Sequence, residues 1–214
     1  MLVDIHTHKQ TESDNPSIRN LTFSEAEKFF STDRKGLFSV GIHPWFINEY
    51  SKETIENLIK WVKDERFFAI GECGLDKNVE IPLDQQILVF KEQIQLSERV
   101  CKPLIIHCVG CFNELFDLKK ELNPVQTWII HGFRGKPELA KQALKAGCAL
   151  SFGEHYNSES VWVTPLDKLF AETDESSITI VEIYNQLATI KLCNIDELNA
   201  GYVLIKSYLK HIIT

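Results

Sequence analysis

Nowhere in these 214 residues does an apolar run approach the roughly 18 residues that a membrane helix needs, so no membrane span is expected. No Ser-, Gly- or Pro-rich linker and no run of like charge interrupts the chain, which argues for a single domain over residues 1–214 with one sizeable core. Net positive charge is missing as well. The balance of −7 excludes the electrostatic footprint of an indiscriminate nucleic-acid binder, but not a nucleic-acid substrate reached through a local basic patch or bound cations. The six cysteines are scattered rather than framed, and "CVGC" at 108–111 has no second CxxC to complete a zinc site. Reduced thiols and a cytoplasmic location are therefore expected. A strand-like run from residue 2 adds the expectation of no signal peptide.

What is present alternates. Short β-rich apolar runs occur at 2–6, 17–23, 37–43, 66–72, 102–107, 126–131, 148–153 and 168–173. Between and after them lie stretches with apolar residues at helical spacing, such as "TIENLIKWVKDE", "PLDQQILVFKEQIQLSERV" and "KPELAKQALKAG". Pro stands near two of the helix starts, and Gly147 ends one helical pattern. Strand–helix alternation implies a parallel sheet with right-handed crossovers. Up to eight strands in series point to an α/β fold, a trimmed and irregular TIM (β/α) barrel, with an open doubly wound sheet as the alternative. The trimming is expected before residue 43, where little or no full helix separates the first strands.

The chemistry gathers at the ends of these runs. In "DIHTH" (4–8) the period of a strand puts Asp4, His6 and His8 on one face. His43, His107 and His131 close later runs, Glu72 closes "FFAIGE", and Asp174 closes "LFAETD". In a barrel, the carboxyl ends of strands form the face where active sites are built. A set of imidazoles and carboxylates without thiolate suits Zn²⁺, Mn²⁺, Ni²⁺ or Mg²⁺. Six such donors exceed the needs of one catalytic ion with an open position and fit two divalent ions bridged by a carboxylate.

Several segments, in order, resemble motifs of the TatD family of metal-dependent deoxyribonucleases, within the amidohydrolase-like TIM-barrel enzymes. "DIHTH" is similar to the family's D-x-H-x-H, "VGIHPW" to its G-I/L-H-P and "IGECGLD" to its bridging-glutamate motif. "PLIIHC", "IIHGFRG" and "ETD" are similar to its later histidine and acidic segments. The resemblance implies metal ligation by His6, His8, Glu72, His107, His131 and Asp174, with Glu72 bridging and Asp174 accepting the proton of the attacking water. It implies a hydrolase cutting phosphodiester bonds, with single-stranded DNA or a small phosphoester as substrate. By position, His43, Arg134, Lys136, Glu154 and His155 are candidate substrate contacts, with Asn157 less certain. Glu172 is expected to support the ligands, Trp45 to pack over the rim, and His211 to lie at the surface. Departures from the family pattern include Val109 and Gly110 after Cys108, where members commonly carry an arginine, and "HGFRG" in place of "HCFSG". Two alternatives stay open: the same centre hydrolysing a small amide, lactone or phosphomonoester, and a non-catalytic metal-binding protein.

Overall fold

The computed structural model describes residues 1–10, 14–30, 36–49 and 51–210; His211 lies outside them. Among the described residues eight strands form, one in each β-rich run: β1 (Asp4–Thr7), β2 (Ser17–Asn20), β3 (Leu37–Val40), β4 (Phe67–Asp76), β5 (Leu104–Val109), β6 (Trp128–Ile130), β7 (Ala149–Phe152) and β8 (Leu169–Ala171). The helices are α1 (Phe23–Phe30), α2 (Lys52–Trp61), α3 (Leu83–Val100), α4 (Phe112–Leu122), α5 (Pro137–Lys145), α6 (Ser158–Val163), α7 (Ile180–Lys191) and α8 (Ala200–Lys210). None of the described helices is long and apolar enough to cross a membrane.

The chain clusters into two compact units, one of residues Asn20–Trp128 and one of Met1–Arg19 with Ile129–Thr214. In the central unit β3, β4 and β5 run parallel, with Val40 beside Ile70 and Gly74 beside His107. All ten residues of β4 are buried, as expected of a parallel strand covered on both faces. Helix α3 ties this unit together through two buried glutamines seven positions apart, and so on one helix face. Gln93 exchanges hydrogen bonds with the backbone of Ile42, at 2.7 and 3.1 Å, and so anchors the segment leading into His43. Gln86 does the same for the backbone of Asp76, at 2.8 and 3.0 Å. Ile42 and Ile47, either side of the His43–Pro44 turn, pack with Ile81 and Val89.

In the other unit β1 pairs with β2, β6 with β7 and β7 with β8, all parallel. A further parallel bridge joins Thr7 to Asp174, so β1 lies against the segment leaving β8. Tyr184 of α7 locks the start of β1, donating to the Val3 carbonyl at 3.0 Å and accepting from its amide at 3.3 Å. A capping box starts α7: the Glu182 amide donates to Thr179 Oγ1 and the Thr179 amide to Glu182 Oε2.

Two expectations need correction. The second β-rich run ends at Asn20, and helix α1 follows where residues 21–23 read as strand. Thr22 and Glu25 cap it reciprocally: the Glu25 amide donates to Thr22 Oγ1 at 3.3 Å and the Thr22 amide to Glu25 Oε2 at 3.0 Å. The local T-x-x-E capping signal and the helix formers Glu25 to Lys28 outweighed the β-favouring run that leads into them. Glu72 does not end its strand either, because β4 continues at full burial to Asp76.

Candidate metal centre

Backbone pairing positions the acidic residues that follow β8. The Glu172 amide donates to the Phe152 carbonyl of β7, and the Asp174 amide donates to the His6 carbonyl of β1. The His8 amide in turn donates to the Asp174 carbonyl at 3.2 Å. Asp174 sits in the left-handed region, at φ 52°, which costs about 1 kcal/mol for a residue with a Cβ and which Asp tolerates better than most. In that conformation its Oδ1 lies 3.7 Å from His6 Nε2 and 3.5 Å from His8 Nε2. The His6 ring is fully buried and stands 4.3 Å, centroid to centroid, from that of His131. His131 Nδ1 faces Glu172 Oε1 at 3.5 Å, and the same oxygen accepts the Gly132 amide at 2.6 Å. Burial alone would push the Glu172 carboxyl up, but hydrogen bonding and attraction from His131, then attraction from His6, outweigh it and hold the group below the usual range.

Asp4, third member of the polar face expected for β1, takes a different part. Both of its oxygens point at Thr173, accepting the amide at 3.0 Å and the hydroxyl at 2.6 Å. Its carboxyl is buried, which raises its pKa to about 7 in spite of those donors. It braces the Thr173 backbone between Glu172 and Asp174.

The central unit holds a second cluster. Glu72 Oε1 lies 3.2 Å from His43 Nε2 and 3.0 Å from His107 Nδ1. His107 Nε2 is 2.9 Å from Asp76 Oδ2, and the Trp45 indole donates to that same oxygen at 2.9 Å. Asp76 is almost fully buried, which raises its pKa, yet the Trp45 indole, the Asn78 amide and His107 together lower it further than burial lifts it. The Glu72 amide is held by Asn20 Oδ1 at 2.8 Å. Gly74 lets β4 pass close to β5: at φ +138° a Cβ there would overlap the His107 carbonyl oxygen.

Three groups of donors stand within 4.8 Å of one another inside a single unit: His6, His8 and Asp174; His131, Glu172 and Asp174; and His43, Glu72 and His107. Each combines imidazole nitrogen with carboxylate oxygen, a set that fits Zn²⁺, Mn²⁺, Ni²⁺ or Mg²⁺. Every residue expected as a ligand therefore sits in such a group, and Glu172, expected as a support, joins one. Around Glu172 and Asp174 a polar cavity of about 270 Å³ is lined by Arg134, Glu154 and His155 as well, among others. Three of the expected substrate contacts thus share a cavity with Asp174. Lys136 is not among its lining residues; it is exposed, at the residue preceding α5. Asn157 caps α6, its Oδ1 accepting the Ser160 amide at 3.1 Å. Trp45, 58% exposed, packs edge-on against His43 with ring centroids 5.0 Å apart. Asp76 was missed although "GECGLD" places it four residues after Glu72 on the same strand face, a spacing readable from the sequence once β4 is known to continue.

Comparison with known proteins agrees with this picture. Residues 3–198 match the family described as TatD related DNase. A protein of Buchnera aphidicola subsp. Baizongia pistaciae, named an uncharacterized metal-dependent hydrolase, is 36% identical over 164 residues, covering 72% of this chain and 61% of the relative. The 3'-5' ssDNA/RNA exonuclease TatD of Erwinia billingiae is 29% identical over 168 residues, covering 72% and 64%. The chain thus spans a little under two thirds of the length of these relatives. The crystal structure of YJJV, a TatD homolog from Escherichia coli K12, superposes with a TM-score of 0.80 at 20% identity, covering 97% of this chain and 96% of that one. That likeness bears out the fold expected from the strand–helix alternation. With its donor clusters and a match over nearly its whole length, the chain belongs to the TatD related DNase family.

Proposed function

We propose that this chain is a divalent-metal-dependent hydrolase that cleaves phosphodiester bonds in DNA, preferentially single-stranded. The observation that carries the reading is the presence, in each unit, of imidazole and carboxylate donors within 4.8 Å of one another. Family membership and the names of the relatives point the same way. His6, His8, Glu72, His107, His131 and Asp174 would hold two divalent ions, with Glu72 as the bridging ligand, and the whole chain works as one hydrolase domain. Such ions lower the pKa of water toward neutrality and offset charge on a phosphoryl oxygen. Asp174 accepts the proton of the attacking water at its carboxylate. Arg134 and His155 line the cavity beside Asp174 and supply cationic or hydrogen-bonding groups to a phosphate. His43 serves by holding Glu72, since Nδ1 takes the Trp45 amide and Nε2 faces the carboxylate. The six cysteines form no disulfide, which suits a reducing cytoplasm.

Elemental analysis of the purified protein, paired with a nuclease assay, tests the reading. Two equivalents of divalent metal per chain and release of nucleotides from an end-labelled single-stranded oligonucleotide are expected. Glu72→Ala should lower turnover by at least a hundredfold. Val109 and Gly110, standing where arginine is common in the family, favour the rival reading of a small ester or amide as substrate. Metal-dependent hydrolysis of small esters with intact oligonucleotide would establish that rival, and absence of bound metal would refute both.

A further inference from the structure

The protons around Glu72 can be assigned from groups that only donate. A backbone N–H and an indole N–H have no acceptor capacity. The Trp45 amide donates to His43 Nδ1 at 3.1 Å, so that nitrogen carries the lone pair and the ring's proton sits on Nε2. His43 Nε2 then donates to Glu72 Oε1 at 3.2 Å. The Trp45 indole donates to Asp76 Oδ2 at 2.9 Å, and the Asn78 amide donates to Asp76 Oδ1 at 2.8 Å. Both oxygens of Asp76 are acceptors, so His107 Nε2, 2.9 Å from Oδ2, is the donor of that pair. In the neutral ring His107 Nδ1 is left with its lone pair directed at Glu72 Oε1, 3.0 Å away. Two acceptors at that distance need a cation or a proton between them.

We propose that Asp76 is the positioning residue of this half of the metal centre: it takes the Nε2 proton of His107 and frees Nδ1 for a divalent cation shared with Glu72. The inference rests on the metal-dependent reading for the identity of the cation. Asp76 is suited to the task because it is itself immobilised. Gln86 clamps its backbone on both sides, Asn78 fixes one oxygen, and Trp45 fixes the other from the solvent-facing edge. A carboxylate so held orients a ligating imidazole and raises its basicity, and loss of such a partner typically weakens metal binding 10–100-fold. Trp45 acts one step further out, by keeping Oδ2 turned to His107.

The test combines Zn²⁺ titration calorimetry with long-range ¹H–¹⁵N spectra of the histidine side chains in the full chain. Zn²⁺-loaded wild type should show a protonated Nε2 and a metal-shifted Nδ1 for His107. Asp76→Ala should raise the Zn²⁺ Kd 10–100-fold and erase the Nε2–H preference. Asp76→Asn keeps the volume and one acceptor oxygen, so it guards against simple misfolding and should raise the Kd about tenfold. Trp45→Phe, at an exposed position, should raise it a few-fold with the His107 tautomer retained. A neutral His107 ring that carries its single proton on Nδ1 and none on Nε2, or unchanged Zn²⁺ affinity in folded Asp76→Ala, would overturn the role of Asp76. Wild type that binds no Zn²⁺ would instead overturn the metal-dependent reading, and the role of Asp76 with it, even with the proton assignment intact.

Discussion

Replacing Gly74 by Ala should disturb the fold and the donor cluster together, and the structure allows the two costs to be separated. At Gly74 the backbone has φ +138°, and an added Cβ would overlap the His107 carbonyl oxygen and lie 3.0 Å from its carbonyl carbon. The obstacle is backbone of the neighbouring strand, not a flexible side-chain tip. A left-handed φ costs an L-residue about 1–2 kcal/mol, and overpacking of a filled interior adds about 1–3 kcal/mol. The stiffer unfolded chain returns about 0.4–1 kcal/mol, leaving a net loss between about 1 and 4.5 kcal/mol, about 3 at mid-range. Gly36 is the internal control, with φ +112° but nothing within 4 Å of its would-be Cβ, so Gly36→Ala should cost only about 1 kcal/mol. With a urea slope of about 2–3 kcal/mol/M, the midpoint should fall by roughly 1–1.5 M for Gly74→Ala and by roughly a third of that for Gly36→Ala. Relief of the overlap must push β5 away by on the order of 1 Å, because close-packed interiors leave no slack. His107 Nδ1 and Nε2 lie 3.0 and 2.9 Å from their carboxylate partners, so such a shift takes both beyond hydrogen-bond reach. Metal affinity and turnover should then drop by about 100-fold, while Gly36→Ala leaves both unchanged. Circular dichroism in urea and Zn²⁺ calorimetry on the two variants are sufficient. Equal destabilisation of the pair, or wild-type Zn²⁺ affinity in Gly74→Ala, would refute the close-approach argument.

Tyr184 should give the protein an alkaline limit. Burial pushes its phenol up to about 12 from 10, so the folded state holds the proton more tightly than the unfolded one. The stability it contributes is whole below pH 10 and is lost as pH rises from 10 to 12, by on the order of 3 kcal/mol at most. Tyr184→Phe removes both hydrogen bonds to Val3, costs about 1–3 kcal/mol at neutral pH, and should flatten that part of the profile in urea titrations at stepped pH. A wild-type profile with the same alkaline slope as the Phe variant would count against it. Arg134→Ala, in the cavity beside Asp174, should raise KM for an oligonucleotide about tenfold with little change in kcat, an effect that shrinks as salt is added. Unchanged KM at low salt would remove Arg134 from the phosphate-binding groups.

Much of this was legible in the chain before any coordinates. Each β-rich run holds a strand because parallel strands are covered on both faces and must be apolar along their length, a signal that survives without periodicity. The imidazoles and carboxylates stood out because polar, metal-binding side chains have no reason to sit at the ends of such runs unless they are used there. Helix α1 escaped notice because its capping Thr22 and first residue Phe23 continue the β-favouring run that precedes them, and eight residues are too few for periodicity to dominate.

Sequence by itself determined most of the donors and, Glu72 and Asp76 apart, near which strand end each lies, because composition and burial act along the chain. It could not determine which donor meets which. Glu72 and His107 are 35 residues apart, Trp45 and Asp76 are 31 apart, and each pair meets only through the paths of β4, β5 and the turn after His43. Only the tertiary structure decided that His43 and His107 present opposite nitrogens to one carboxylate. A ring's tautomer is set by the partner on its far side, and that partner is supplied by another element.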